Sequence, residues 1–263
     1  MGLFDLFKKK KKSEESKKSN ILLAMPMFNH GETFEINKVV EYLKSNWNIS
    51  ISDVDGDHDL VTFSVKGETV VLATMPSPIP LVEIKEVARY AYNWMTAEKD
   101  LENHNAHVLV TITSSKNTAL ERFKILTKIL ASIVATTNCI GVYQGTQSLL
   151  IPREQYLQGA EALNSNQIPL DLWIYIGLGR SENGNNVYTH GLAAFDKLDM
   201  EIINTKLDLE ELHNLVWNIS AYVINQDITF KNGETLGYTA EQKIKISKSV
   251  GHFVEGQTLK LEI

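Results

Sequence analysis

The chain has 263 residues, 43% of them hydrophobic, a net charge of −6 and a single cysteine, Cys139. This is enough apolar material for one large cored domain or two small ones, and a lone cysteine excludes an internal disulfide framework. The longest apolar run, Ile21 to Phe28 with a proline inside it, falls far short of the roughly 20 residues of a membrane-spanning helix.

Residues 1–19 hold seven lysines against three acidic residues, a net +4, which leaves −10 for the remainder. Such a block of like charges reads as a disordered, solubilising tail. Weak contact with an anionic membrane through residues 1–12 is the alternative, with Leu3, Phe4, Leu6 and Phe7 dipping into the interface. The acidic body excludes an extended nucleic-acid surface, which would collect Lys and Arg against phosphates. No stretch near the start has the apolar core of a signal peptide, so the expected setting is the reducing cytoplasm, with the tail peripheral to the inner membrane face at most.

After the tail, Ile21 to Phe28 predicts a buried strand, and Ile36, Val39, Val40, Leu43 and Trp47 recur at helical spacing. Ile49 to Val54, Leu60 to Lys66 and Thr69 to Met75 read as short antiparallel strands joined by turns at Asp55-Gly56 and Lys66-Gly67. Pro76 to Pro80 forms a rigid connector into a helix carrying Ile84, Val87, Ala88, Ala91, Trp94 and Met95. Ala106 to Thr113 has the β-branched density of a central strand. Thr118 and Glu121 fit a capping box opening a long amphipathic helix. Ile140 to Tyr143 and Ser148 to Ile151 give two further strands, and Pro152 starts a helix reaching about Leu163. Residues 164–169 mark a candidate boundary between two subdomains of a 20–263 unit.

Leu172 to Leu178, Val187 to Phe195 and Met200 to Ile203 predict a three-stranded meander, with its first turn at Glu182-Asn183-Gly184. Asp208 can cap the next helix, Asn232-Gly233 turns the chain, and Lys243 to Ser247 and Leu259 to Ile263 alternate as strands. Strands and helices do not alternate as βαβ units throughout. The expected class is therefore α+β, with antiparallel or mixed sheets covered by long amphipathic helices.

The chemical motifs that can be tested fail. Asp53 to Asp59 places aspartates at calcium-loop positions one, three and five, but His58 stands where that loop needs Gly and Ser64 where it needs Glu. His104 and His107 straddle the start of a strand, so they fall on opposite faces, and no further zinc ligands accompany them. Gly177-Leu178-Gly179 leads into a hairpin instead of a helix, which excludes a dinucleotide fingerprint. Cys139 reads as a small buried hydrophobe. No catalytic residue, metal site or cofactor is predicted. Gly191, inside a predicted strand, marks a close backbone approach, a bulge or a gap for a ligand.

Leu172-Trp173-Ile174-Tyr175, Tyr188-Thr189-His190-Gly191-Leu192 and Met200-Glu201-Ile202 together resemble the bacterial family called domain of unknown function 4261. Its hallmark is a Trp-containing strand followed by a Thr-x-Gly-Leu strand running into a Glu-Ile pair. Ala106 to Thr111 and Asn232 to Gly237 are similar as well, so the resemblance extends over nearly everything after the tail. The chain departs from the family at Ala194-Phe195-Asp196, where a glycine is expected near the turn. The resemblance implies no activity, cofactor or catalytic residue. The function expected from the sequence is a non-enzymatic protein-protein interaction module of accessory or immunity type. The alternative is a ligand-binding protein or enzyme with its site near His107, Trp173, Thr189 and Gly191.

Overall fold

The structure, a computed structural model, describes residues 21–29, 33–114, 116–239 and 242–263. The basic tail and its membrane contact lie outside them. Among the described residues no helix is long and apolar enough to cross a membrane. Helix and strand contribute almost equally, and the strands form two mostly antiparallel sheets, so the fold is α+β.

Among the described residues the first sheet has seven strands. β1 (Leu22–Phe28) lies between β5 (Ala106–Ile112) and β6 (Gly141–Gln144), antiparallel to both. β4 (Glu68–Met75), β3 (Leu60–Val65) and β2 (Ser52–Gly56) extend the sheet beyond β5, and β7 (Leu149–Pro152) closes the other edge. The Lys66-Gly67 turn forms as expected, with both residues at positive φ. The second sheet runs β11-β12-β13-β10-β9-β8, comprising Thr235–Gly237, Lys243–Val250, Gln257–Glu262, Met200–Thr205, Gly184–His190 and Tyr175–Ser181.

The two sheets share one plan. β1 leads through helix α1 (Ile36–Trp47) into the β2-β3-β4 meander, whose last strand runs parallel to β1 with β5 inserted between them. β10 likewise leads through a long helix (Leu209–Asn225) into β11-β12-β13, and β13 pairs directly with β10 in parallel. This correspondence is topological and leaves no repeat in the sequence, because alternating apolar residues suffice for each strand.

One face of the first sheet buries Ala24, Val108, Val110 and Ile112 against α1 and a long helix that spans Ala119–Thr136. The opposite face packs Met27, Tyr143 and Leu150 under helix α2 (Leu81–Ala88), the short helix α3 (Ala97–Asp100) and the turns between them. The predicted helix through Met95 therefore ends at Ala88. Trp94 leaves helical register to lie over Gly141, where a Cβ would come within 2.6 Å of its ring, and its indole N–H donates to Asp100 at 2.8 Å. We number the remaining helices α4 (Ala119–Thr136), α5 (Arg153–Ala160) and α6 (Leu209–Asn225). Pro152 precedes α5, as expected, and a 3₁₀ turn over Glu161–Ser165 carries the chain into the 164–169 stretch.

The meander also differs in two places: its first strand is Tyr175–Ser181 instead of Leu172 to Leu178, because Leu170–Leu172 closes a 3₁₀ turn. β9 stops at His190 instead of running to Phe195, and Leu192–Phe195 forms a 3₁₀ turn. Gly191 begins that turn at φ +118°, a conformation that side chains rarely adopt.

Candidate functional site

A cleft of about 530 Å3 opens where the two sheets meet. One wall is the start of β1 with the first turn of α4. The second is the end of β6 with the 3₁₀ turn Gly145–Gln147, and the third is the connection from β9 to β10.

The α4 wall follows from local sequence. Thr118 is extended, and its hydroxyl accepts the Glu121 N–H at 3.3 Å, so half of the expected capping box forms. Arg122, one turn on, is buried despite its charge. Its Nε lies 3.7 Å from Glu68 Oε2, and its Nη2 donates to the Ile112 carbonyl. Burial would raise the Glu68 pKa, but hydrogen bonds from the Ser114 hydroxyl and from the Asn117 backbone and amide, together with Arg122, hold it below the ordinary carboxylate value. The pair is thus ionised and fixed before any ligand arrives.

Two buried glutamines form the facing wall. Gln144 Nε2 donates to the Leu172 carbonyl at 2.8 Å, which anchors that side chain. Gln147 is 5% exposed, and its amide has no hydrogen-bond partner among the described residues. It passes beside Gly191, where a Cβ would sit 3.2 Å from Gln147 Cγ.

The third wall is organised by Asp199. Its Oδ1 accepts from the Thr189 hydroxyl at 2.9 Å and from the Leu192 N–H at 3.1 Å, and the same hydroxyl accepts the Met200 N–H. Burial pushes the Asp199 carboxyl above its ordinary pKa, and these hydrogen bonds and the neighbouring His190 offset only part of that. The carboxylate therefore ends β9 and folds the turn that forms the cleft wall.

The four predicted site residues separate into two groups. Gly191 lines the cleft, and Thr189 is buried behind it as the partner of Asp199. Trp173 is buried beneath, with its indole N–H donating to Thr127 at 2.8 Å and its ring beside Phe123 and Phe195. His107 does not join them. It is paired with Met27, so its side chain lies on the sheet face opposite α4, where Nδ1 binds the Ser77 carbonyl at 2.8 Å and burial lowers its pKa.

Sequence reasoning missed Arg122, Gln144, Gln147 and Asp199. The one local signal was a charge inside the apolar stripe of α4, at Arg122. Gln147 and Gly191 meet only through the packing of the two sheets.

Elsewhere, Asp57, His58 and Asp59 bring ligand atoms within 4.8 Å of one another on the surface. Asp57 Oδ1, however, accepts from the Asp59 and Leu60 N–H groups, as a polar turn requires.

Residues 188–262 match the family model described as Domain of unknown function (DUF4261). The C-terminal part of the chain thus carries the DUF4261 signature. Tyr188 to Leu192, Met200 to Ile202 and Asn232 to Gly237 fall within the DUF4261 match, whereas Trp173 and Ala106 to Thr111 lie before it. One wall of the cleft, His190 to Asp199, falls within the DUF4261 match, and the α4 and glutamine walls come from the preceding part of the chain. No curated protein and no solved structure matches the chain. The Glu201 of the DUF4261 match is structural. It is wholly buried, pairs with Lys260 and accepts the N–H groups of His252, Phe253 and Val254, which ties the β12-β13 loop to β10.

Proposed function

We propose that the protein binds a small polar molecule in the cleft between its two sheets. The observation that carries this reading is Gln147, which lines the cleft at 5% exposure and whose amide has no protein partner among the described residues. The amide is not sealed from the cleft, so water can bond it there until a ligand takes its place. The volume supports the reading too, since it falls in the range of roughly 300–1,000 Å3 typical of small-molecule sites. The setting we propose is the reducing bacterial cytoplasm, which suits a buried free thiol.

Ligand-observed NMR with a fragment library tests this reading. Binding is expected to the native protein and to be lost in Ala193→Trp, which fills the cleft from its exposed rim. Fragments that bind both proteins equally contradict it.

A second reading, docking of a protein partner, is favoured by an aromatic row on the open face of the second sheet. Tyr90, Tyr92 and Phe253 are 50%, 56% and 40% exposed. They continue into the half-buried Tyr175 and Tyr188 through ring contacts of 5.0–6.2 Å. Tyrosine is enriched at interface hot spots. If this face docks a partner, Tyr90→Ser with Tyr92→Ser abolishes its stoichiometric recovery from the native host, and unchanged recovery contradicts the docking.

A further inference from the structure

We infer that the ligand of this cleft carries an anionic group, carboxylate or phosphoryl, seated at the N-terminus of α4 and bonded by the Gln147 amide. The inference rests on the ligand-binding reading above and names its chemical class.

The first N–H groups of a helix have no acceptor within it. In α4, the Glu121 N–H is taken by the Thr118 hydroxyl and the preceding Asn117 N–H by Glu68, while Arg122 returns to the Thr118 carbonyl. The N–H groups of Ala119 and Leu120 have no acceptor among the described residues, at the positive end of an 18-residue helix. The cleft reaches the chain at Asn117, Thr118 and Ala119. Such a terminus favours an anion through both its donors and its dipole.

Gln147 is the independent second observation. Its side chain lines the same cleft, is 95% buried and has no partner among the described residues. An amide N–H2 there can donate to an oxyanion held by α4. Arg122 adds positive potential behind the helix turn, partly offset by Glu68.

The opposite wall refines the class. Asp199 and Asp196 face the same space, so a bare anion filling the cleft would meet negative charge there. An anion that also carries a hydroxyl group places a donor toward that wall, as in a hydroxy acid or a polyol phosphate.

Amide-resolved NMR titration of the full chain with matched probes tests this. The pairs are glycolate against glycolamide and glycerol 3-phosphate against glycerol, with chloride holding ionic strength constant. The expected result is a saturable shift of the Ala119 and Leu120 resonances with at least one anionic probe and not with its neutral match. The anion that shifts them distinguishes carboxylate from phosphoryl. Ala119→Pro removes one donor at the first helical position, where proline is tolerated and where Thr118, at φ −61° and ψ 158°, already has the backbone that a following proline requires. Ala119→Pro and Gln147→Leu are each expected to weaken binding about tenfold with an unchanged melting temperature. Equal binding of the neutral probes, or saturable shifts elsewhere in the cleft with Ala119 and Leu120 unmoved, overturns the anion and leaves the cleft reading standing. Failure of both anionic probes to bind also overturns it, whereas the fragment experiment with Ala193→Trp judges the cleft separately. Because the wild-type shifts and Gln147→Leu do not depend on Ala119→Pro folding, the inference stays falsifiable if that variant fails.

Discussion

The Phe123 ring of α4 stacks on Phe195, with centroids 4.3 Å apart and planes 24° from parallel. This contact joins the helix that covers the first sheet to the 3₁₀ turn that leaves the second. Trp173 packs against both rings, so three aromatics form the floor on which the cleft walls stand. Phe195 is 4% exposed. Phe195→Ala leaves a cavity at this junction and is expected to destabilise the protein by about 3–5 kcal/mol in chemical denaturation.

Asp199 gives stability a pH dependence of unusual sign. Burial holds its carboxyl above the ordinary value, so between about pH 3.9 and its folded pKa the native state binds more protons than the unfolded chain. Its contribution is most favourable below that window and declines as pH rises through it. Asp199→Asn keeps an oxygen for Thr189 and Leu192 but cannot titrate. Denaturation of both proteins from pH 3.5 to 7 should therefore show the variant gaining stability relative to wild type as pH rises.

Glu201 behaves in the opposite sense. Burial would raise its pKa, but the Lys260 pair and the loop N–H groups hold it below the ordinary value. Its contribution is present above about pH 4.3 and is lost as pH falls through the folded pKa. Glu201→Gln removes the charge paired with Lys260, which keeps its bonds to the Val250 carbonyl and the Thr258 hydroxyl, and is expected to cost about 2–4 kcal/mol at neutral pH. Hydrogen exchange should speed up first at His252 to Val254, and the stability difference should shrink in acid.

Local signals made much of this fold legible. Asp208 and Glu211 form a full capping box at α6, and the hairpin turns at Lys66-Gly67 and Glu182 to Gly184 lie where the residues that tolerate positive φ stand. What was not legible depends on partners distant in sequence. The apolar run Val187 to Phe195 has the composition of one strand, yet Asp199 breaks it by capping Leu192. The pattern through Met95 suits a helix, but Trp94 has a better site over Gly141. At the candidate site, Gly191 and Thr189 were legible as a glycine interrupting a strand beside a polar residue. Gln147 lies 44 positions earlier and carried no mark of its role. His107 is indistinguishable from them in the sequence, because sequence order does not report which face of a sheet a residue occupies in another strand.

Cys139 is 1% exposed, and its thiol donates to the Gly141 carbonyl at 3.3 Å. Burial pushes the thiol pKa up to about 12, so the nucleophilic thiolate is nearly absent at neutral pH. A thiol reagent such as DTNB should leave the native protein unmodified over hours at pH 8 and react at once in denaturant.

The most direct test of the central claim is a crystallographic screen in which the protein is soaked with small polar fragments. The account predicts that bound fragments concentrate between α4 and the Leu192–Phe195 turn and that they accept or donate a hydrogen bond at Gln147. Fragments confined to the aromatic row around Tyr90 and Phe253, with the cleft holding only water, would contradict it.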